Sequence, residues 1–344
     1  MERLVTQDCI RPFSAPLSRR GVAKLIAGTA AATVLGNVPT LAQSRTLKLG
    51  YVLAQDSQLG AGATAFAKEL DTVTQGRLKI EQFPNSALGG EVELLQGVQL
   101  GTIDMAFITG VALPNLVPEV GVFNIPFLFR DVAHARAVLD SPIGQSYLEK
   151  FRAKDLVALA WGESGMRHIT NSKRAIKGPG DLKGLKLRLP QSEVMLTGFK
   201  ALGANVAPLA FPQLFDALQT GKFDGQENPI ATIIASKFAQ VQKHLTLSGH
   251  VYDPALLVMS ADAFDELVAT DAEAVFQAAK VGAMASRVYA SEAQTKGVEA
   301  LRQAGMEVVA DLDTTRFAAA MASATPIFNK KFGTDLVGVI HNFR

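Results

Sequence analysis

Cysteine is almost missing from this chain: 344 residues contain one, Cys9. A lone thiol excludes a disulfide framework and any cysteine-based zinc site. Charge is sparse as well. Charged residues make up 19%, and 34 Lys and Arg nearly balance 32 Asp and Glu, for a formal net charge of +2. Such a balance lacks the basic footprint of a nucleic-acid-binding protein. Aromatic residues reach only 7%, with a single Trp. No uncharged apolar run approaches the ~20 residues that span a bilayer. What the chain has is apolar bulk, at 48%. That is enough to fill a core and argues against disorder, and the length suggests about two domains.

Residues 1–42 read as an address. They carry five basic groups, Arg3, Arg11, Arg19, Arg20 and Lys24, against Glu2 and Asp8. An uncharged stretch from Leu25 to Val38 follows, and Thr40-Leu41-Ala42 places small residues at the −3 and −1 positions of a cleavage site. The order of cationic, apolar and small-residue zones is that of a signal peptide cleaved near Ala42. Ser18-Arg19-Arg20-Gly21-Val22-Ala23-Lys24 resembles the twin-arginine export signal, with Val22 and Ala23 in place of a bulkier pair, so both the twin-arginine and the general secretory route stay open. Cys9 precedes the apolar stretch and cannot be a lipid anchor at the cleavage point. The expectation is a soluble periplasmic protein, and a mature chain without cysteine suits an oxidising compartment.

In the mature chain, Leu47, Leu49, Tyr51 and Leu53 alternate with other residues as in a strand. Ala61 to Thr74 has helical periodicity, with Phe66, Leu70 and Val73 on one face, and Gly76 stops it. Arg77 to Phe83 is a second strand, Val92, Leu95 and Val98 mark a second helix, and Met105 to Thr109 is a short buried strand. This order favours a mostly parallel sheet flanked by helices. Val111 to Phe129 reads as a long loop rich in Pro and large apolar residues; Phe123, Ile125, Phe127 and Phe129 serve either packing or a pocket. Helices over 133–139 and 144–154 and a strand over 156–161 follow. A second α/β unit runs through a strand at 185–189, a helix at 194–202, a strand at 205–208 and a helix at 212–220. Asp271 to Ala304 is the longest helical pattern, with 34 residues. At 1.5 Å per residue it extends ~50 Å, enough to brace two small lobes.

The chemistry concentrates between Gly165 and Pro229. There stand Met166-Arg167-His168-Ile169-Thr170-Asn171, then Asp181-Leu182-Lys183-Gly184-Leu185-Lys186-Leu187-Arg188-Leu189-Pro190, then Pro208-Leu209-Ala210-Phe211, and last Phe223-Asp224-Gly225-Gln226-Glu227-Asn228-Pro229. Leu185, Leu187 and Leu189 share one strand face, and Arg188 takes the other. Pro190 ends the strand, so Arg188 lies near its carboxyl end, where open α/β sheets bind ligands. A guanidinium there offers a planar fork that fits a carboxylate.

Taken together, and with Leu88-Gly89-Gly90-Glu91 near the start, these segments resemble the substrate-binding proteins of tripartite ATP-independent periplasmic (TRAP) transporters, of the C4-dicarboxylate-binding type. The resemblance covers essentially the whole mature chain. It implies an α/β, two-lobed periplasmic binding protein with a hinge and a long helix spanning both lobes. Lobe I would hold residues 43–164 plus about 253–293, and lobe II residues 165–252 plus about 294–344. By the same resemblance Arg188 matches the arginine that grips the ligand carboxylate, Asn228 an amide donating to it, and Arg167 a second arginine that reaches it directly or through water. Phe211 matches an aromatic against the ligand body, and Glu91 with the loop Gln55, Asp56 and Ser57 falls where the other lobe meets the distal end. Read singly, Asn228 could be a turn residue before Pro, Phe211 core, and Glu91 a first-turn helix acid.

The implied function is a non-enzymatic receptor for a small organic acid (a dicarboxylate, a sugar acid, or a hydroxy or oxo acid). It would deliver that acid to the small and large membrane subunits of a TRAP permease driven by an ion gradient. No cofactor, metal or nucleic acid is expected. Two rival readings are a binding protein of an ATP-driven importer and an exported enzyme acting on small acids; the long helix and the Arg188 segment speak against the first. Three patterns are set aside. Gly60-Ala61-Gly62-Ala63-Thr64-Ala65 fits the dinucleotide fingerprint in form, but several loop residues separate it from the preceding strand. The five His residues show no metal-ligand spacing. Gly162-Glu163-Ser164-Gly165 lacks the second glycine position of a nucleophile elbow. Mass spectrometry of the exported protein is expected to find an N-terminus near Gln43; an intact N-terminus would refute the export reading.

Overall fold

The computed structural model describes residues 44–344, so the signal segment and its cleavage point lie outside the described residues. The first lobe opens with β1 (Arg45–Gly50), α1 (Gln58–Val73), β2 (Leu78–Phe83), α2 (Glu91–Gln99) and β3 (Met105–Thr109). Alternation in β1 works as the sequence indicates: Leu47 and Leu49 are fully buried while Lys48 faces out. Two short 3-10 turns, Leu113–Asn115 and Pro118–Asn124, occupy the expected loop. Its aromatics serve packing: Phe123 is wholly buried against Phe129, Tyr147 and Trp161. Then come α3 (Val132–Asp140), α4 (Pro142–Glu149) and β4 (Leu156–Asn171).

The second lobe holds β5 (Lys186–Leu189), α5 (Glu193–Ala201), β6 (Asn205–Pro208), α6 (Leu214–Gln219), β7 (Gly225–Pro229) and α7 (Ile230–Ala235). The chain returns through β8 (His244–Ser260), α8 (Ala261–Asp265), α9 (Ala269–Gln303) and β9 (Glu307–Val309). It finishes with α10 (Thr314–Ala320), α11 (Thr325–Phe332) and α12 (Thr334–His341).

The strand order is β2-β1-β3-β8-β4-β7-β5-β6, with β9 on β8. The expectation of a mostly parallel sheet holds within each α/β unit, while the centre of the sheet is antiparallel. β1 runs parallel to β2 and β3, and β5 parallel to β6 and β7, but β3–β8, β8–β4 and β4–β7 are antiparallel. The cause is the length of β4 and β8, 16 and 17 residues. Each passes from one lobe into the other. β8 pairs with β3 through Ala255–Met259, while β4 pairs with β7 through Arg167–Asn171. Between these halves the β4–β8 register shifts at Glu163/Gly165 and Arg167/Ile169, and Gly165 takes a φ of 126° that only glycine adopts readily.

α9 is 35 residues long, which at 1.5 Å per residue gives ~52 Å. It packs on α1 of the first lobe, on α7 of the second and on β4 between them. Its inner face is small: Ala274, Ala278, Ala279, Gly282, Ala283, Ser286 and Ala290 are buried. The reason lies opposite. A Cβ on Gly282 would stand 2.8 Å from the Gly62 carbonyl oxygen, and one on Gly62 would stand 2.9 Å from the Gly282 carbonyl oxygen. The Gly60–Ala65 pattern therefore serves helix packing rather than a nucleotide. Of the C-terminal segment, which the sequence reading places with lobe II, Phe317 of α10 and Met321 are buried with Leu187, Leu189 and Phe199 of the second lobe, while the end of α12 meets the start of α3. Arg130 donates to the carbonyls of His341 and Phe343 at 2.8 Å each, and His134 Nε2 lies 3.0 Å from the Ile340 carbonyl.

No helix among the described residues is long and apolar enough to cross a membrane. Because α1 and α9 meet backbone to backbone, Gly282→Val is expected to destabilise the protein by about 1–3 kcal/mol through overpacking. Urea denaturation measures it, and an unchanged midpoint would contradict the close approach.

Candidate ligand-binding site

A small cavity of about 20 Å³ lies where the lobes meet. Its walls include Val52, Leu53, Glu91, Thr109 and Val111 from the first lobe, and Arg188, Pro190, Phe211, Asn228 and Thr232 from the second. Ser164 and Arg167 of β4 close its floor. The lobes touch around it. A Cβ built on Gly90 would be 3.7 Å from Ala210 Cβ and Pro212 Cδ, Asn115 Nδ2 donates to the Gln191 carbonyl at 2.8 Å, and Gln58 Nε2 donates to Thr232 Oγ1 at 2.8 Å. The cleft is closed.

Arg188 stands on β5 between buried Leu187 and Leu189 and is itself 2% exposed. Its Nε and Nη2 donate to the Leu209 carbonyl at 2.8 and 2.6 Å. That fixes the guanidinium plane by its side edge and leaves the Nη1–Nη2 edge. Among the described residues no carboxylate lies within ion-pairing distance of it. Burial lowers its pKa to about 10, with Glu227 opposing, so it stays charged at neutral pH. A buried charge without a counter-ion is costly.

Arg167 is the opposite case. Nε and Nη2 grip the two oxygens of Glu227 at 2.6 and 2.8 Å, and Nη1 donates to Asp253 Oδ2 at 2.6 Å. Nη2 also donates to Asn228 Oδ1 at 3.1 Å. Burial opposes the Arg167 charge, but the two carboxylates outweigh it and keep it protonated. Sharing one guanidinium divides the carboxylates. Burial would raise both. The bidentate Arg167 contact, helped by His250, pulls Glu227 down to about 2, while Asp253, with one contact, is pushed up to about 6.

Asn228 sits in a strand, β7, rather than a turn. Its Oδ1 is held by Arg167, and its Nδ2 donates to Gln226, which in turn donates to Thr170 Oγ1 at 2.8 Å. Phe211 opens the 3-10 turn Phe211–Gln213 and packs on Phe238, with ring centroids 6.3 Å apart. Glu91 is the first residue of α2, and its Oε1 accepts from the Thr109 backbone N–H at 2.8 Å. The Glu91 residue keeps some surface exposure, but its carboxyl is desolvated, which raises it to about 7.

Gln55, Asp56 and Ser57 do not line this cavity; Val52 and Leu53, just before them, do. The physical reason is the start of α1. Buried Ser57 is its N-cap, accepting from Gly60 N at 3.2 Å and donating to the Ala54 carbonyl, while Gln55 and Asp56 are exposed. Sequence reasoning missed Thr109, Val111, Ser164 and Thr232. Thr109 had a signal: it ends β3, as Arg188 nearly ends β5, on the carboxyl edge where such sheets bind ligands. It is 6% exposed, and its Oγ1 has no hydrogen-bond partner.

The Glu91 shift gives a prediction with a definite sign. A folded pKa raised from 4.5 to about 7 stabilises the fold below pH 4.5, and that contribution is lost as pH rises through about 7. Glu91→Gln keeps the acceptor for Thr109 but removes the charge. Urea denaturation is expected to show the variant more stable than the parent at pH 8 and not at pH 5; the reverse order would contradict the buried carboxylate.

Residues 49–331 match the model of the family described as bacterial extracellular solute-binding protein, family 7. A solute-binding protein from Verminephrobacter eiseniae is 49% identical over 294 residues, covering 86% of this chain and 88% of its own. A TRAP periplasmic solute-binding protein from Polaromonas, solved with D-erythronate, superposes with a TM-score of 0.85 at 46% identity, covering 86% of this chain and 98% of that one. Another from Bordetella bronchispeptica, with density assigned as pantoate, gives a TM-score of 0.86 at 47% identity, covering 88% of this chain and all of that one. A two-lobed α/β frame braced by one long helix and closed on an arginine-bearing cavity, together with these matches, makes the chain a member of bacterial extracellular solute-binding protein family 7, the solute-binding proteins of TRAP transporters.

Proposed function

We propose that the protein is a periplasmic receptor that binds a small organic acid by its carboxylate and hands it to the small and large membrane subunits of a TRAP permease. The observation that carries this reading is the Arg188 guanidinium, buried in the inter-lobe cavity with no carboxylate partner among the described residues. Relatives of similar fold hold D-erythronate and pantoate, both carboxylic acids.

Arg188 would meet the ligand carboxylate with its Nη1–Nη2 edge, because the Leu209 carbonyl already holds the other edge. Asn228 adds an amide N–H, oriented by Arg167 and Gln226. Arg167 orients Asn228 while Glu227 and Asp253 hold it, and it lines the cavity, where a direct or water-linked contact with the ligand would complete its role. Phe211 and Val111 supply apolar walls. Binding first and closing next, the ligand bridges groups from both lobes and so favours the closed form. The role requires binding and release, with no bond made or broken. Export through residues 1–42 and cleavage near Ala42 belong to the same proposal. The ATP-driven importer and the exported enzyme have no comparable support in the fold or its relatives.

Arg188→Ala is expected to weaken the acid by two to four decades, since removing one partner of a buried ion pair costs ~3–5 kcal/mol and each decade is about 1.4 kcal/mol. Titration calorimetry with D-erythronate and pantoate measures it. An affinity near that of the parent protein would overturn the assignment.

A further inference from the structure

We infer that the cavity selects a hydroxylated monocarboxylate and excludes a dicarboxylate, with Glu91 and Thr109 as the selecting pair. The inference rests on Arg188 as the carboxylate site proposed above.

The charges on the cavity wall decide it. Three ionisable side chains line it: Arg188, Arg167 and Glu91. Arg167 already holds two carboxylates, Glu227 and Asp253. Arg188 is therefore the one cation on this wall with no carboxylate in ion-pair contact, and a single ligand carboxylate takes that place. The opposite lobe presents Glu91 with apolar Val52, Leu53 and Val111 around it, and no Lys or His lines the cavity. A second carboxylate there would face a like charge with no cation to offset it, in a site where little water screens the repulsion.

A hydroxyl meets the opposite reception. Glu91 spends Oε1 on the Thr109 backbone N–H, and Oε2 has no partner among the described residues. Thr109 Oγ1 is buried and unpartnered as well. A buried hydroxyl left without a partner is a penalty that a ligand hydroxyl removes. Glu91 Oε2 accepts from that hydroxyl, and Thr109 Oγ1 can donate to it.

Titration calorimetry at pH 7.5 with a panel of four- to six-carbon acids tests this, using D-erythronate and pantoate against succinate and malate. The parent protein is expected to bind at least one hydroxy monocarboxylate ~100-fold or more tighter than either dicarboxylate, since like-charge juxtaposition is strongly penalised. Glu91→Gln should narrow that ratio at least ~10-fold, and Thr109→Val should weaken the hydroxy acid. Circular dichroism checks that both variants fold. Succinate or malate binding within tenfold of the best hydroxy acid, while Arg188→Ala still abolishes binding, would sink the selection and leave the receptor reading standing. So would an unchanged ratio in Glu91→Gln. Failure of the parent protein to bind any acid in the panel, or indifference to Arg188→Ala, would sink the receptor reading itself.

Discussion

A guanidinium held out of water, with no carboxylate among the described residues in ion-pair contact, governs this molecule. Arg188 is 2% exposed, and its neighbours offer only the Leu209 carbonyl. A neutral carbonyl fixes the plane of the charge without cancelling it. The closed cleft therefore contains a buried charge for which the ligand carboxylate proposed above would be the counter-ion, which would tie ligand binding to lobe closure. Arg167, in the same cavity, shows what a paired arginine looks like here: two carboxylates and an amide engage it. The same residue type takes opposite roles because of what the neighbouring strands place around it. Glu227 and Asn228 of β7 and Asp253 of β8 surround Arg167, while Arg188 faces the gap.

The frame makes that gap possible. β4 and β8 cross from lobe to lobe as an antiparallel pair whose register shifts beside Gly165. α9 lies along both lobes, and its small inner face lets α1 approach until Gly62 and Gly282 meet backbone to backbone. Small residues bring the helices close, and close packing resists deformation. The crossing strands and the brace keep the lobes in register, so that Arg188 and Glu91, from opposite lobes, share one cavity.

Much of this was legible in the chain itself. Period-two alternation placed Leu187 and Leu189 in a core and Arg188 opposite them, and Pro190 set the strand end. The long helical pattern at 271–304 corresponds to α9 within two residues at its start and one at its end. Other parts were illegible for physical reasons. β8 is buried almost throughout its length, so it shows no clean alternation. The Asp-Gly-Gln-Glu-Asn-Pro run around Asn228 has the composition of a turn, yet pairing with β4 and β5 makes it a strand. Ser57 looked available to a ligand because nothing local shows that its hydroxyl caps α1.

The sequence by itself determined the periodicities, the breaks and the kinds of chemistry available, because these depend on neighbours a few residues apart. It determined that position 188 carries a permanent positive charge at a strand end. Only the tertiary structure decided which charges would be cancelled. Glu227 lies 60 residues from Arg167 and Asp253 lies 86 away, and only the long antiparallel strands bring them together. Electrostatic pairing falls off with distance in space, not along the chain, so no local pattern separates the neutralised arginine from the one left waiting.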